Sequence, residues 1–298
     1  MDNDLDFELQ EWPNNTTLLK LKSKVTQDQI ALVNLAKRNG LHHEIVKKRQ
    51  TKLLRSLRFR TIAVSKIFKS YRVKAPEISN TNFTWDLSVN KKKYWDIIKE
   101  LKVITSDPEK YESSPVKKIW IPKSQNKKMP IWIFTITNKI LQQLICLVLE
   151  PLVELTSDFN SFGFRKYRNP KMAIGVLKGY LGTSSKNYTK VSLCRKNKRS
   201  VPSELGQKKW ILDADVANFF NSIHNKYLLN HLFLPSSGIQ LVKKLLTSEI
   251  REKQICIISD EGVPQGEILF SVLANFTLNG LENTVRSSSH FTTESKTK

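Results

Sequence analysis

Between Ile140 and Leu149 the chain reads ILQQLICLVL, its most apolar stretch. Such a run must be withdrawn from water, yet it is too short to span a bilayer. It follows Asn138 and Lys139, so a core helix from about Asn138 to Leu155 is expected, with Pro151 marking a break near its end. At 298 residues, 40% of them hydrophobic, the chain has enough apolar surface for one large domain or two ordinary ones.

The formal net charge is +22 and the isoelectric point about 9.9. An excess of this size is the footprint of a polyanion, because each Lys or Arg that neutralises a phosphate releases a condensed counterion. Cys146, Cys194 and Cys256 are far apart, no Cys-x-x-Cys pair exists, and the five histidines do not cluster. Neither a disulfide framework nor a zinc site is expected, and the compartment is reducing. Met1 to Gln10 is acidic and has no apolar stretch, so neither a secretory signal nor a transit peptide is expected. No membrane partner is expected. The many Lys, Asn and Ile residues suit an A+T-rich organelle genome.

Residues 1–70 read as a basic helical extension. In its second helix Val46, Leu53, Leu54 and Leu57 face inward, surrounded by Lys47, Lys48, Arg49, Lys52, Arg55, Arg58 and Arg60. Charges almost all of one sign fit either a solvated face or a phosphate-facing surface. Residues 71–115 form a polar linker with one helix, Tyr94 to Leu101. Residues 117–136 alternate and read as a hairpin, in which Lys117, Lys118, Lys123, Lys127 and Lys128 interleave with Trp120 and Trp132. These tryptophans are either core residues or stacking surfaces for nucleic acid. Residues 183–208 are a basic insertion loop. Lys209 to Phe220 reads as a strand running into a turn, 225–250 as mostly helix, and Ile255 to Ile258 as a short strand. Gly262 starts a turn into a helix from Leu269 to Leu281, and 286–298 is a disordered tail.

Four stretches, in this order and spacing, resemble the group II intron reverse transcriptase/maturase family. They are PVKKIWIPK (Pro115–Lys123), LEPLVELTSDFNSFGFRKYRN (Leu149–Asn169), WILDADVANFFNSI (Trp210–Ile223) and GVPQGEILFSVLANFTLNGL (Gly262–Leu281). The helix LLRSLRFRTIAVSKI (Leu53–Ile67) is similar to the family's N-terminal extension. The resemblance implies an α+β fold: the fingers and partial palm of a right-hand polymerase over 116–285, preceded by the helical extension. It implies that the chain stops before the Tyr-Ala-Asp-Asp strand, the thumb and the maturase domain.

By that resemblance Asp215 is the first catalytic, metal-binding aspartate of an incomplete triad, with the Val216 backbone carbonyl as a second ligand. Hard oxygen donors of this kind hold Mg2+, which polymerases use in pairs. An ordinary strand-end aspartate is the other reading. Phe219 takes the position that checks the sugar 2′ group, and Lys123 that of a fingers lysine on the incoming triphosphate. Gly266 lets backbone approach template or primer, and Gln265 binds a nucleotide or holds the turn. Arg165 contacts nucleic acid or packs its loop. Several positions depart from the family: Met129 replaces an arginine, Trp132 a glycine, Asn138-Lys139 an Asp-Arg pair and Asn221 an aspartate, and Phe270-Ser271 replaces Ser-Pro. No Asp-Asp pair occurs anywhere. Mg2+ is therefore expected only if another chain completes the site. The function implied is a maturase that binds group II intron RNA and assists its splicing without autonomous polymerase activity. The alternatives are one half of a split RNA-directed DNA polymerase, active with a second polypeptide, or a degenerate product. An organelle is the expected location, the plastid ahead of the mitochondrion.

Overall fold

The computed structural model describes residues 12–74, 91–123, 127–181, 212–252, 255–257, 262–264 and 266–287. Helices dominate. The N-terminal part forms α1 (Asn15–Asn39), α2 (Glu44–Arg55) and α3 (Leu57–Lys74). The Thr17 N–H donates to the Asn14 side chain at 2.8 Å, capping α1. Gly40 ends that helix at φ 95°, a value that side chains with a Cβ avoid. The linker helix, α4 (Lys91–Ser106), is longer than the Tyr94–Leu101 expected.

The apolar run forms α5 (Ile136–Thr156). By length and composition it could cross a membrane, but 72% of its apolar window is buried inside the protein. Packed against it are α1, α3 and α9 (Ile268–Thr277). Pro151 does not break it. A proline at that position offers no N–H to the Leu147 carbonyl one turn earlier. Gln29 on α1 fills the gap, donating from Nε2 to that oxygen at 2.7 Å. The carbonyl that Pro151 leaves without a helical donor is thus satisfied by a side chain 118 positions away.

The hairpin forms as expected, with β1 (Val116–Lys123) antiparallel to β2 (Lys127–Ile133). The start of β1 runs parallel to β3 (Ile250–Glu252), which pairs with β4 (Ile255–Ile257), giving the order β2-β1-β3-β4. The strand expected over Lys209–Phe220 is not observed. Residues 212–216 have no regular structure, Phe219–Ser222 is a single 3-10 turn, and residues 209–211 lie outside the described part. An apolar segment makes a strand only when a neighbour supplies a ladder, and among the described residues none pairs with this segment. The remaining helices are α6 (Pro170–Leu181), α7 (Asn225–His231), α8 (Ser236–Leu246) and α10 (Leu281–Ser287). The helix expected over 269–281 ends sooner, as α9 at Thr277, and after Gly280, at φ 91°, the separate helix α10 begins at Leu281. The insertion 183–208 and residues 288–298 lie outside the described residues.

Replacing Gln29 with Ala strands a buried carbonyl and should destabilise the protein by about 1–3 kcal/mol in urea denaturation. In a Pro151→Ala background the helix regains its own donor, so the same replacement should do much less. Equal effects in both backgrounds would refute the compensation.

Candidate nucleic-acid interface

The family-like stretches converge through backbone contacts. The turn Phe219–Ser222 packs on Gly262–Pro264: the Val263 N–H donates to the Phe220 carbonyl at 2.8 Å and the Gly262 N–H to the Ile223 carbonyl at 3.2 Å. Gly262 is required twice over. Its φ is 80°, and a Cβ there would lie 2.9 Å from Asn221 Cα. Asn275 on α9 donates to the Gly163 carbonyl at 3.0 Å, tying the second stretch to the fourth. A cavity of about 60 Å³ between Trp132, Asn221, Ser248 and Pro264 is too small for a nucleotide.

Asp215 and Val216 are exposed, and Gly266 is exposed at φ 107°. Gln265 lies outside the described residues. Phe219 is half-buried, packed on the core and edge-to-face with Phe220 at 5.6 Å between centroids. Mg2+ requires several oxygen donors in near-octahedral array. Among the described residues no three His, Cys, Asp or Glu side chains gather into a metal-binding group. The single carboxylate of Asp215 does not fit a pair of Mg2+ ions.

Two departures from the family pattern have structural work. Asn138 accepts from the Tyr111 hydroxyl at 2.6 Å and donates to Ser113 Oγ at 2.9 Å. Burial pushes the Tyr111 phenol up to about 12. Lys139 meets Glu267 at 3.1 Å, joining α5 to the start of α9, with both side chains largely buried. Burial raises the Glu267 carboxyl above its ordinary range, and the Lys139 ammonium opposes that shift.

The basic residues divide. Arg60 is a correction to the expected RNA-contacting face: it is 5% exposed and donates from Nη1 to the Ile98 carbonyl at 2.7 Å and from Nη2 to the Arg55 carbonyl at 3.2 Å. Arg165 is a second correction, resolved in favour of loop packing. At 9% exposure its Nε and Nη2 grip Glu154 at 2.8 and 2.6 Å, and Nη1 donates to the Asp158 and Ser161 carbonyls. Arg49 and Arg58 both lie against Asp28, at 2.7 and 3.5 Å, and Arg55 donates to the Thr105 carbonyl ending α4. Lys48, Lys52 and Lys117 stay exposed, while Lys47 lies 3.4 Å from Glu44.

In the hairpin, Lys118 is the cross-strand partner of Trp132, and its ammonium lies 4.7 Å from the Trp120 ring centroid and 5.5 Å from that of Trp132. Trp132 packs on the core, whereas Trp120 remains 46% exposed. The two tryptophans thus answer the core-or-surface alternative differently. Lys123 pairs with Lys127 and Lys128 with Pro122 at the turn end of the hairpin.

Residues 121–294 match the family described as Reverse transcriptase (RNA-dependent DNA polymerase). The chain belongs to the reverse transcriptase family. Protein YkfC of Escherichia coli is 26% identical over 175 residues, 57% of this chain and 40% of that protein. The group II intron-encoded protein LtrA of Lactococcus lactis is 27% identical over 179 residues, 59% of this chain and 26% of that protein. The COX1/OXI3 intron 2 protein of Saccharomyces cerevisiae is 25% identical over 263 residues, 86% of this chain and 27% of that protein. This reverse transcriptase-family chain therefore matches at most 40% of the length of these relatives.

Two substitutions probe the junctions of this reverse transcriptase core. Lys139→Met leaves Glu267 buried without its cation and should lower stability at neutral pH by about 3 kcal/mol. The Glu267 pKa is raised in the fold, so its ionised form is what the native state disfavours. The deficit should therefore shrink as pH falls through the raised pKa toward the ordinary carboxylate value, as read from urea midpoints. A deficit that does not change with pH would contradict the assignment. Gly262→Ala should cost about 2 kcal/mol in the same assay, because the strained φ and the Asn221 backbone both oppose a Cβ.

Proposed function

We propose that this chain binds structured group II intron RNA and assists its splicing, without polymerase activity of its own. The observation that carries the reading is the hairpin, where Lys118 is held between two indoles, in a reverse transcriptase-family chain of net charge +22. An ammonium fixed beside a half-exposed tryptophan offers a phosphate contact and a stacking face together. RNA recognised in this way is read by shape, phosphate and splayed bases. The name of the Lactococcus relative, a group II intron-encoded protein, supports the choice of intron RNA. In this reading β1 and β2 belong to the fingers, and Asp215 lies on a partial palm. An organelle is the proposed setting, with a COX1/OXI3 intron protein among the relatives. A preference for the plastid has no support among them.

A second reading rests on residues 212–216. Leu212 is 86% exposed and Val216 56%, in a segment that no described strand pairs. A strand from a second polypeptide could pair there and bring the carboxylates that Asp215 lacks for Mg2+, making a split RNA-directed DNA polymerase. Primer extension that needs the second polypeptide and is lost in Asp215→Ala would favour it.

The first reading is tested by titrating the full chain with a group II intron RNA and with unrelated structured RNA of equal length. At moderate salt the intron should bind at least about tenfold tighter, and Lys118→Gln should reduce the slope of log affinity against log salt by about 1. Equal affinity for both RNAs would reduce the interaction to bulk charge. The intron's splicing rate, with and without protein, then separates a splicing factor from a passive binder.

A further inference from the structure

The loop between α5 and α6 displays aromatic rings under strain. Phe164 is 71% exposed and Tyr167 86%, and both have left-handed backbones, at φ 51° and 63°. Bulky residues rarely hold that conformation unless their surroundings over-determine it. Here the surroundings are specific. Between the two lies buried Arg165, clamped to Glu154 and to the Asp158 and Ser161 carbonyls. Asn275 holds the Gly163 carbonyl, and the Asp158 carboxylate accepts from the Gly280 and Glu282 N–H groups at 3.1 Å each. The loop is thus fixed to α5, α9 and α10, and turning Arg165 inward leaves its neighbours facing water.

Cations alternate with these rings. The Lys166 ammonium lies 5.2 Å from the Tyr167 ring centroid, and the Arg168 guanidinium 5.8 Å from that of Phe159 and 5.2 Å from that of Phe162. A purely apolar partner would leave those charges facing hydrocarbon. An unpaired nucleic-acid strand, with a flat base and a phosphate in each unit, satisfies both kinds of group. We infer that this loop is a preformed stacking platform for unpaired RNA bases, with Phe164 and Tyr167 as the stacking faces and Lys166 and Arg168 beside the phosphates. The inference rests on the RNA-binding reading and adds a second contact region, separate in sequence from the hairpin.

The test uses the full chain, a fluorescently labelled single-stranded RNA of mixed sequence, and the duplex made from it. Tyr167→Ala should weaken single-strand binding about tenfold, a typical loss for one stacked base, and change duplex binding by less than about twofold. Tyr167→Phe keeps the ring and should bind as the parent does. Phe164→Gly should weaken single-strand binding yet raise the thermal midpoint, because glycine accepts the left-handed φ without strain. Unchanged single-strand affinity in Tyr167→Ala overturns the platform and leaves the patch to a protein partner. Equal losses on single strand and duplex overturn it as well. If the Tyr167 dependence holds but intron RNA is not preferred, the splicing reading fails and the platform stands.

Discussion

A helix enclosed by protein has no water to satisfy its polar atoms, and α5 is enclosed along most of its length. Its apolar side chains supply the driving force for burial but are indifferent to which neighbour covers them. Its polar atoms are not. Asn138 fixes the segment before β1 through Tyr111 and Ser113, Lys139 fixes the start of α9 through Glu267, and the Leu147 carbonyl fixes α1 through Gln29. Near the end of the helix Glu154 holds the loop to α6, and Thr156 accepts from Asn279 beyond α9. Each bond selects one arrangement of a neighbouring element over its alternatives, since any other would leave a buried group unpaired. Gln142 is an exception, with both amide atoms buried and no hydrogen-bond partner, and nothing in the structure accounts for it.

This division explains what could be read from the chain and what could not. The helices of the N-terminal part and the hairpin were legible because each rests on a local period and on local punctuation, such as Gly40. Pro151 was misleading because its compensation, Gln29, is remote in sequence. The Lys209–Phe220 segment is apolar enough to read as a strand, but pairing is a property of two segments and its composition reports only one. For the candidate site, the sequence order of the four stretches anticipated their meeting, while the means of meeting went unseen. No local pattern announces that Asn275 will hold Gly163, or that Lys139 and Glu267, far apart in the chain, will neutralise each other. The alternation of rings and cations from Phe159 to Arg168 was visible throughout. Only the positive φ values and the burial of Arg165 separate it from an ordinary loop.

The positive charge shows the same separation of local from non-local information. On α2 and at the start of α3 seven basic side chains look equivalent in the sequence, yet the structure gives them different surroundings. Arg49, Arg55, Arg58 and Arg60 turn to protein acceptors: Asp28, the carbonyls ending α4 and the Ile98 carbonyl. Lys48 and Lys52 remain at the surface. A guanidinium is weakly hydrated and carries five donors in a plane, so it can be withdrawn from water while still satisfied by several carbonyls. An ammonium is more strongly hydrated and is withdrawn only against a carboxylate, as Lys139 is against Glu267. The consequence reaches recognition. A fork of donors reads the edge of a base, whereas a point charge on a flexible stem reads only the position of a phosphate. With Arg49, Arg58 and Arg60 turned to protein acceptors and Lys48 and Lys52 exposed, RNA bound here would be held by backbone shape. Aromatic faces would then add affinity for unpaired bases of any sequence, since every base has a π-face, and both the hairpin and the loop after α5 hold theirs beside a cation.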